Sequence, residues 1–265
     1  MNKIISSSLR RSFSKVSFGF QNIEASEKQE KVNSIFHNVA NNYDKMNDLM
    51  SLRVHRYWKN SLIDMINPKM DLKYLDVAGG TGDIAFRILD RLPVDHEEDQ
   101  GIITVCDINE SMIKYGREKS QKNFYDKIIN WKVGNAEELP FEDNSFDVYT
   151  ISFGIRNCTN IDKVLSEAFR VLKNNGRFYC LEFSHVENLI LREVYDAYSF
   201  NVIPVLGHLF ANDWKSYQYL VESIRRFPNQ EDFEEMINQA GFRHTYHVNF
   251  NHGISAVHFG MKRIK

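Results

Sequence analysis

Asp76-Val77-Ala78-Gly79-Gly80-Thr81-Gly82 joins an acidic residue to a glycine-rich run. An apolar stretch precedes the glycines, and Ile84, Ala85, Ile88 and Leu89 recur behind them at helical spacing. That pattern predicts strand, tight loop and helix. Such a loop brings backbone N–H groups close to a nucleotide-like cofactor. Gly80 to Ala85 also fits G-x-G-x-x-A, the dinucleotide fingerprint, so NAD is one reading. Asp107, at the end of the next apolar run, could hold the ribose hydroxyls of either kind of cofactor.

These residues need elements to position them. Apolar runs at residues 71–77, 102–106, 128–133, 147–152 and 177–183 predict five strands. Helical spacing between them predicts helices up to about Leu92, from a Ser111 cap to about Lys119, and over residues 161–172. Alternating strands and helices give an α/β fold, a doubly wound parallel sheet with right-handed crossovers. Ligands gather at the strand C-termini beside the first strand. Residues 79–83, Asp107, Asn135 with Ala136, and Ser152 all stand at those ends, so four loops converge on one crevice.

Residues 26–66 read as an N-terminal helical cap, with Val54, Trp58, Leu62 and Met65 on one face. Residues 184–235 interrupt the alternation with a Tyr-, Phe- and Leu-rich insertion suited to a substrate lid. Residues 93–100 read as a solvated charged loop, and residues 174–176 as a turn on Gly176. Residues 243–249 and 255–262 alternate across Asn251-His252-Gly253 and predict a terminal antiparallel hairpin. A single domain is expected over residues 26–265.

Residues 1–25 differ in kind. Lys3, Arg10, Arg11 and Lys15 stand among serines, with no acidic residue before Glu24. This composition reads as a mitochondrial transit peptide or disordered leader, and Arg11-Ser12-Phe13-Ser14 as a cleavage site after Phe13. The whole chain carries a net charge of −2, and losing the leader's cations makes it clearly acidic. A nucleic-acid partner is therefore not expected. Cys106, Cys158 and Cys180 show neither disulfide nor metal-ligand spacing, so no metal is expected. The nine histidines read as structural.

A hairpin closing a parallel sheet is the arrangement of class I AdoMet-dependent methyltransferases, a Rossmann-like fold with seven strands. Their motif has a glycine where Ala78 stands. Gly134-Asn135-Ala136-Glu137-Glu138-Leu139-Pro140-Phe141 resembles their adenine loop, in which an amide side chain takes the exocyclic amine and a backbone N–H a ring nitrogen. FHNVANNYDKMNDLMSLRVHRYWK, ISFGIRNCTN and ANDWKSYQYLVESIRRFPNQEDF resemble the quinone-biosynthesis C-methyltransferase family, from about residue 31 to the end. Trp214 stands where tyrosine is common, and Asn174-Asn175-Gly176 replaces Pro-Gly-Gly.

The resemblance implies S-adenosyl-L-methionine as cofactor and C-methylation of a polyprenyl methoxy-benzoquinol in ubiquinone biosynthesis. It places Gly79, Gly80 and Gly82 around the methionine portion, with Thr81 hydrogen-bonding the cofactor. Asp76 orients the loop or the amino end, or only braces the turn. Asp107 takes the ribose, Asn135 and Ala136 the adenine, and Ser152 lies beside the methionine end. Arg156 is read as a cation stabilising the phenolate through a bound water, or as an ion pair capping the sheet. Asn212, Asp213 and Tyr217 are candidates for orienting the quinol, and Asp213 is an alternative proton acceptor. The insertion and residues 43–50 would cover an isoprenoid tail, or simply pack as core. Further implications are a homodimer, other proteins of a multi-subunit quinone-synthesis complex, and peripheral attachment to the matrix face of the mitochondrial inner membrane. The rival readings are an AdoMet-dependent methyltransferase of another small aromatic substrate, an NAD-dependent oxidoreductase, an RNA methyltransferase and a non-catalytic subunit.

Overall fold

The structure is a computed structural model that describes residues 15–39, 48, 50–93, 101–211 and 213–264; of residues 36–39, 210 and 211 it describes the backbone only. The side chain of Phe36, and Ala40, Tyr43, Asn212 and residues 1–14 and 94–100, lie outside this description.

Seven strands form one sheet in the order β5-β4-β3-β6-β7-β9-β8. They are β3 (Tyr74–Val77), β4 (Ile103–Asp107), β5 (Ile129–Val133), β6 (Phe146–Ser152), β7 (Leu172–Phe183), β8 (Arg243–Phe250) and β9 (Ser255–Met261). The strands from β5 to β7 run parallel, while β9 inserts antiparallel between β7 and β8. This is the expected doubly wound sheet with its terminal hairpin, turned by Asn251–Gly253. Strand β3 lies at the switch point, with β4 on one side and β6 on the other. Register sets Asp76 opposite Val105 and Thr150.

Helix α3 (Asp83–Leu89) follows the glycine loop and buries Ile84, Ala85, Ile88 and Leu89, the residues whose spacing predicts it. Helix α4 (Glu110–Lys122) begins two residues earlier than a Ser111 cap would place it. Its cap is Asn109, whose side-chain oxygen accepts from the N–H groups of Ser111 and Met112 at 3.0 and 3.1 Å. Helix α5 (Ile161–Val171) is capped by Asn160 and buries Val164, Leu165, Ala168 and Val171. No turn interrupts β7 at Gly176. Asn175 takes the left-handed conformation (φ 64°), the pairing with β6 shifts register, and Lys262 bonds both Asn175 and Gly176 through the backbone.

The N-terminal cap is helical, as expected. Helix α1 (Ala25–Val39) and α2 (Val54–Ile66) are separate, and Leu52 and Arg53 have positive φ where α2 begins. Helix α2 buries Trp58, Leu62, Ile63 and Ile66 against the sheet. Full burial of such side chains stabilises by ~1.5–3 kcal/mol each, which fixes the rotation of α2 about its axis. The insertion folds as α6 (Leu189–Asn201), α7 (Ile203–Ala211) and α8 (Trp214–Arg226), before α9 (Gln230–Gln239) returns to the sheet.

Part of the stretch read as leader is folded. Residues 15–24 form a hairpin of β1 (Lys15–Phe18) and β2 (Gln21–Glu24). Phe18 stacks on Tyr219 of α8 with ring centroids 4.3 Å apart, and Glu222 accepts from the Phe20 N–H at 3.0 Å. Basic residues and serines suggest a leader, but Val16 and Phe18 alternate with Ser17 as an edge strand requires. Residues 15–24 therefore pack with the folded chain.

Candidate active site

Two hollows open at the strand C-termini and share a wall. The first, ≈ 1140 Å³, lies over β3 and β4, and Asp76, Gly80, Thr81, Asp107, Asn135, Ala136 and Ser152 all line it. The second, ≈ 1420 Å³, lies beneath the insertion, and Trp58, Phe183, Tyr195, Tyr198, Tyr217 and Tyr219 give it an aromatic lining. Lys59, Phe153 and Asn157 border both.

In the first hollow, Ala78 has φ 50°, a left-handed conformation at the position where a glycine is usual. Gly82 has φ 83°, and a Cβ there would stand 2.6 Å from the Trp131 ring. It does not line the hollow. Its positive φ lets the loop turn into α3 against Trp131 of β5. Asp107 accepts from the Gly80 N–H at 2.9 Å and from the Asn109 N–H at 2.8 Å, so one carboxylate ties two loops together. Burial raises the pKa of that carboxyl above the ordinary range. The Asn135 side chain accepts from the Glu137 N–H at 2.9 Å and so shapes its own loop.

Asp76 is buried. One oxygen accepts from the Thr150 hydroxyl at 2.8 Å, and the other has no partner among the described residues. Burial pushes this carboxyl up to about 7, against the pull of Thr150. The Ser152 hydroxyl is likewise buried without a partner among the described residues.

The proposed quinol-handling residues are placed less uniformly. Arg156 lines the second hollow, but its Nη1 is held by Glu182 and by the Phe153 carbonyl, each at 2.7 Å. The pair is buried, with Arg156 6% and Glu182 1% exposed at the side chain. Burial raises the Glu182 carboxyl, and Arg156 opposes the rise. The ion-pair reading of Arg156 thus describes its geometry, while its Nε has no acceptor among the described residues. Tyr217 lines the second hollow and packs its ring under Gly207. Asp213 is outside that lining. It caps α8, accepting from the Ser216 N–H at 3.0 Å and from the Ser216 hydroxyl.

Ser51, just before α2, and Lys59 on it escaped the sequence reading, which took His55 only as structural. Ser51, His55 and Lys59 lie four residues apart and all line the second hollow. Ser51 Oγ is 2.6 Å from His55 Nδ1, and Asp48 lies 3.6 Å from His55 Nε2. Burial, then the charge of Lys59, lowers the His55 pKa to about 4, so the ring is neutral. Lys59 pairs with Asp83 at 2.7 Å. Burial pushes the Asp83 carboxyl up, but Lys59 and Arg87 reverse this and hold it at about 2. The available signal was a lysine inside the apolar stripe of Val54, Trp58 and Leu62.

Comparisons with known proteins give a family and a fold. The ubiE/COQ5 methyltransferase family model matches residues 24–262. The chain belongs to the ubiE/COQ5 methyltransferase family. It is 49% identical over 92% of its length to a mitochondrial 2-methoxy-6-polyprenyl-1,4-benzoquinol methylase of Xenopus laevis, covering 88% of that protein. Proteins of the same name from Oryza sativa and Homo sapiens are 51% and 48% identical, over 93% and 92% of this chain and 88% and 84% of theirs. Among solved structures, a SAM-dependent methyltransferase of Thermotoga maritima superposes with a TM-score of 0.59 at 16% identity, covering 86% of this chain and all of that one. A Haemonchus contortus phosphoethanolamine N-methyltransferase in complex with S-adenosyl-L-methionine gives 0.55 at 16% identity, over 78% of this chain and 53% of that one. The fold is that of AdoMet-dependent methyltransferases.

The cofactor of the family is S-adenosyl-L-methionine, and the first hollow suits it. Asp76, Asp83 and Asp107 line the hollow, acids that suit a donor carrying a sulfonium, an ammonium and a ribose diol. The unpartnered oxygen of Asp76 and the Ser152 hydroxyl offer it polar partners.

Proposed function

We propose that this chain transfers a methyl group from S-adenosyl-L-methionine to a ring carbon of a polyprenyl methoxy-benzoquinol, a step of ubiquinone biosynthesis in the mitochondrion. One observation carries the reading: an acid-lined hollow and an aromatic hollow meet at a shared border of Lys59, Phe153 and Asn157. A cationic donor suits the first and a quinol with an isoprenoid tail the second. The relatives named above carry the same activity and the word mitochondrial in their names.

The bound cofactor supplies an electrophilic methyl group. Asp107 holds the ribose hydroxyls, Asn135 and Ala136 the adenine, and Gly80 and Thr81 the methionine portion, with Asp76 and Ser152 at its amino end. Arg156 and Tyr217 orient the quinol. The Glu182 pairing makes Arg156 a fixed donor, and Asp213, as the cap of α8, positions the helix that carries Tyr217. Excluding water from the shared border favours direct transfer, since positioning alone can supply ~7–11 kcal/mol of barrier reduction.

Peripheral membrane attachment belongs to the same proposal. Ile190, Val194 and Leu209 of α6 and α7 are 75%, 64% and 69% exposed, on helices that roof the second hollow. No helix among the described residues is long and apolar enough to cross a membrane. Attachment at the matrix face of the inner membrane, homodimerisation and a place among other quinone-synthesis proteins rest on family membership. The test is to supply methyl-labelled S-adenosyl-L-methionine with a short-tailed 2-methoxy-benzoquinone kept reduced. Label on a ring carbon supports the reading; bound cofactor with no transfer, even with partner proteins added, refutes the substrate.

A further inference from the structure

Helix α2 carries one charge into the wall between the hollows. Trp58, Leu62 and Ile63 are almost fully buried, so apolar packing sets the face on which Lys59 sits. A lysine on such a face usually reaches its ammonium out to water. Lys59 does not: it is 7% exposed and donates to Asp83 Oδ2 at 2.7 Å. Asp83 has a second cation, because Arg87 Nε donates to its Oδ1 at 3.0 Å. The carboxylate would be neutralised without Lys59, and buried ion pairs are weak contributors to stability. An ammonium has three donors, and Asp83 is the acceptor of one. The Phe153 ring lies 5.9 Å away and forms the border beside it.

We infer that Lys59 is a catalytic residue, whose ammonium donates an N–H to the deprotonated quinol oxygen next to the ring carbon that takes the methyl group. The inference rests on the function proposed above. A methyl group passing between the hollows crosses their border, so the acceptor carbon and its neighbouring oxygen must lie there. Lys59 borders both hollows, whereas Arg156 borders only the second and is already bound by Glu182. The other charged or titratable groups around Lys59 are Asp83 and Arg87 of α3, His55 of its own helix with Asp48 beyond it, and Asp76 and Asp107 at the sheet. None of them is a cation facing the border.

The step balances as follows. The quinol hydroxyl loses its proton to water, and Lys59 stabilises the resulting oxyanion. The carbon–sulfur bond breaks as the ring-carbon bond forms, leaving a thioether. The ring carbon's own proton then returns to the oxygen through solvent, so one proton is released per methyl group transferred.

The test uses the chain from Ser14 onward, as wild type, Lys59→Met and Lys59→Arg, each saturated with S-adenosylhomocysteine. A short-tailed nitro-substituted 2-methoxyphenol is bound, and its phenolate absorbance is titrated against pH. The wild type is expected to lower the bound phenol's pKa by at least about one unit, Lys59→Arg to keep part of that shift, and Lys59→Met to abolish it. Ring methylation by Lys59→Met should fall ~100-fold in kcat, as for loss of one oxyanion donor, with S-adenosyl-L-methionine affinity changed by less than about threefold. Arg87 still balances Asp83 in Lys59→Met, and a thermal melt checks its folding. If it unfolds, Lys59→Arg carries the test: a bound-phenol pKa equal to that of the free phenol overturns the inference. Equal phenol pKa values in wild type and Lys59→Met also overturn it. So does a loss of cofactor affinity matching the loss of kcat/KM, which would put Lys59 on the cofactor's carboxylate. A wild type that shifts the phenol yet methylates no quinol refutes the substrate assignment instead.

Discussion

Asp76 is a carboxyl in the middle of a sheet, and its surroundings favour the neutral form. Burial raises it from 3.8 to about 7. The folded state therefore binds this proton more readily than the unfolded chain. The stability it contributes is complete below pH 3.8 and is lost as pH rises towards and through about 7. Asp76→Asn keeps a neutral side chain at every pH. The difference in unfolding free energy between Asp76→Asn and wild type, both without cofactor, should grow in favour of the variant from pH 4 to pH 8. The rise should be on the order of a few kcal/mol at most, read from urea melts at each pH. A flat difference would mean that the carboxyl is not desolvated as its burial indicates. A cationic ligand beside Asp76 would favour the charged form, so the site is disposed to ionise on binding.

At the scale of elements, the strand-loop-helix unit was legible because apolar spacing changes period on either side of the glycines. Asp107, Asn135 and Ser152 were legible because switch-point topology puts strand ends in one place. The cap of α4 was not, because Asn109 and Ser111 are both good cap formers two residues apart, and only the fold decides between them. Asn109→Ala should cost ~1 kcal/mol and lower the melting temperature by a few degrees. An unchanged melt would return the cap to Ser111. Sequence cannot show Trp131 of β5 arriving beneath the loop at Gly82. Lys59 was missed for a similar reason. A lysine within an apolar stripe reads as one that reaches solvent, and the stripe alone does not reveal that Asp83 waits on the next helix.

For the whole molecule, the sheet, the closing hairpin and the separate insertion follow from the sequence pattern, while the β1–β2 hairpin does not. Serines and cations mark residues 1–25 as leader, yet Phe18 packs on Tyr219, which itself lines the second hollow. A chain beginning at Ser14 keeps the β1–β2 hairpin, and one beginning at Ser26 loses it. The shorter chain should be less stable by ~1 kcal/mol or more from the lost aromatic pair and its buried area. Differential scanning calorimetry of the two chains measures this, and equal melting temperatures would show that the hairpin contributes nothing.

The two-hollow arrangement is tested most directly by a crystal structure with S-adenosylhomocysteine and a short-tailed, reduced methoxy-quinone bound together. The account predicts the sulfur of the first ligand in the acid-lined hollow, facing the border of Lys59, Phe153 and Asn157. The quinol ring should lie across that border, with its tail running between Trp58 and the tyrosines of the insertion. A quinol ring bound anywhere else, or a sulfur turned away from the border, would contradict it.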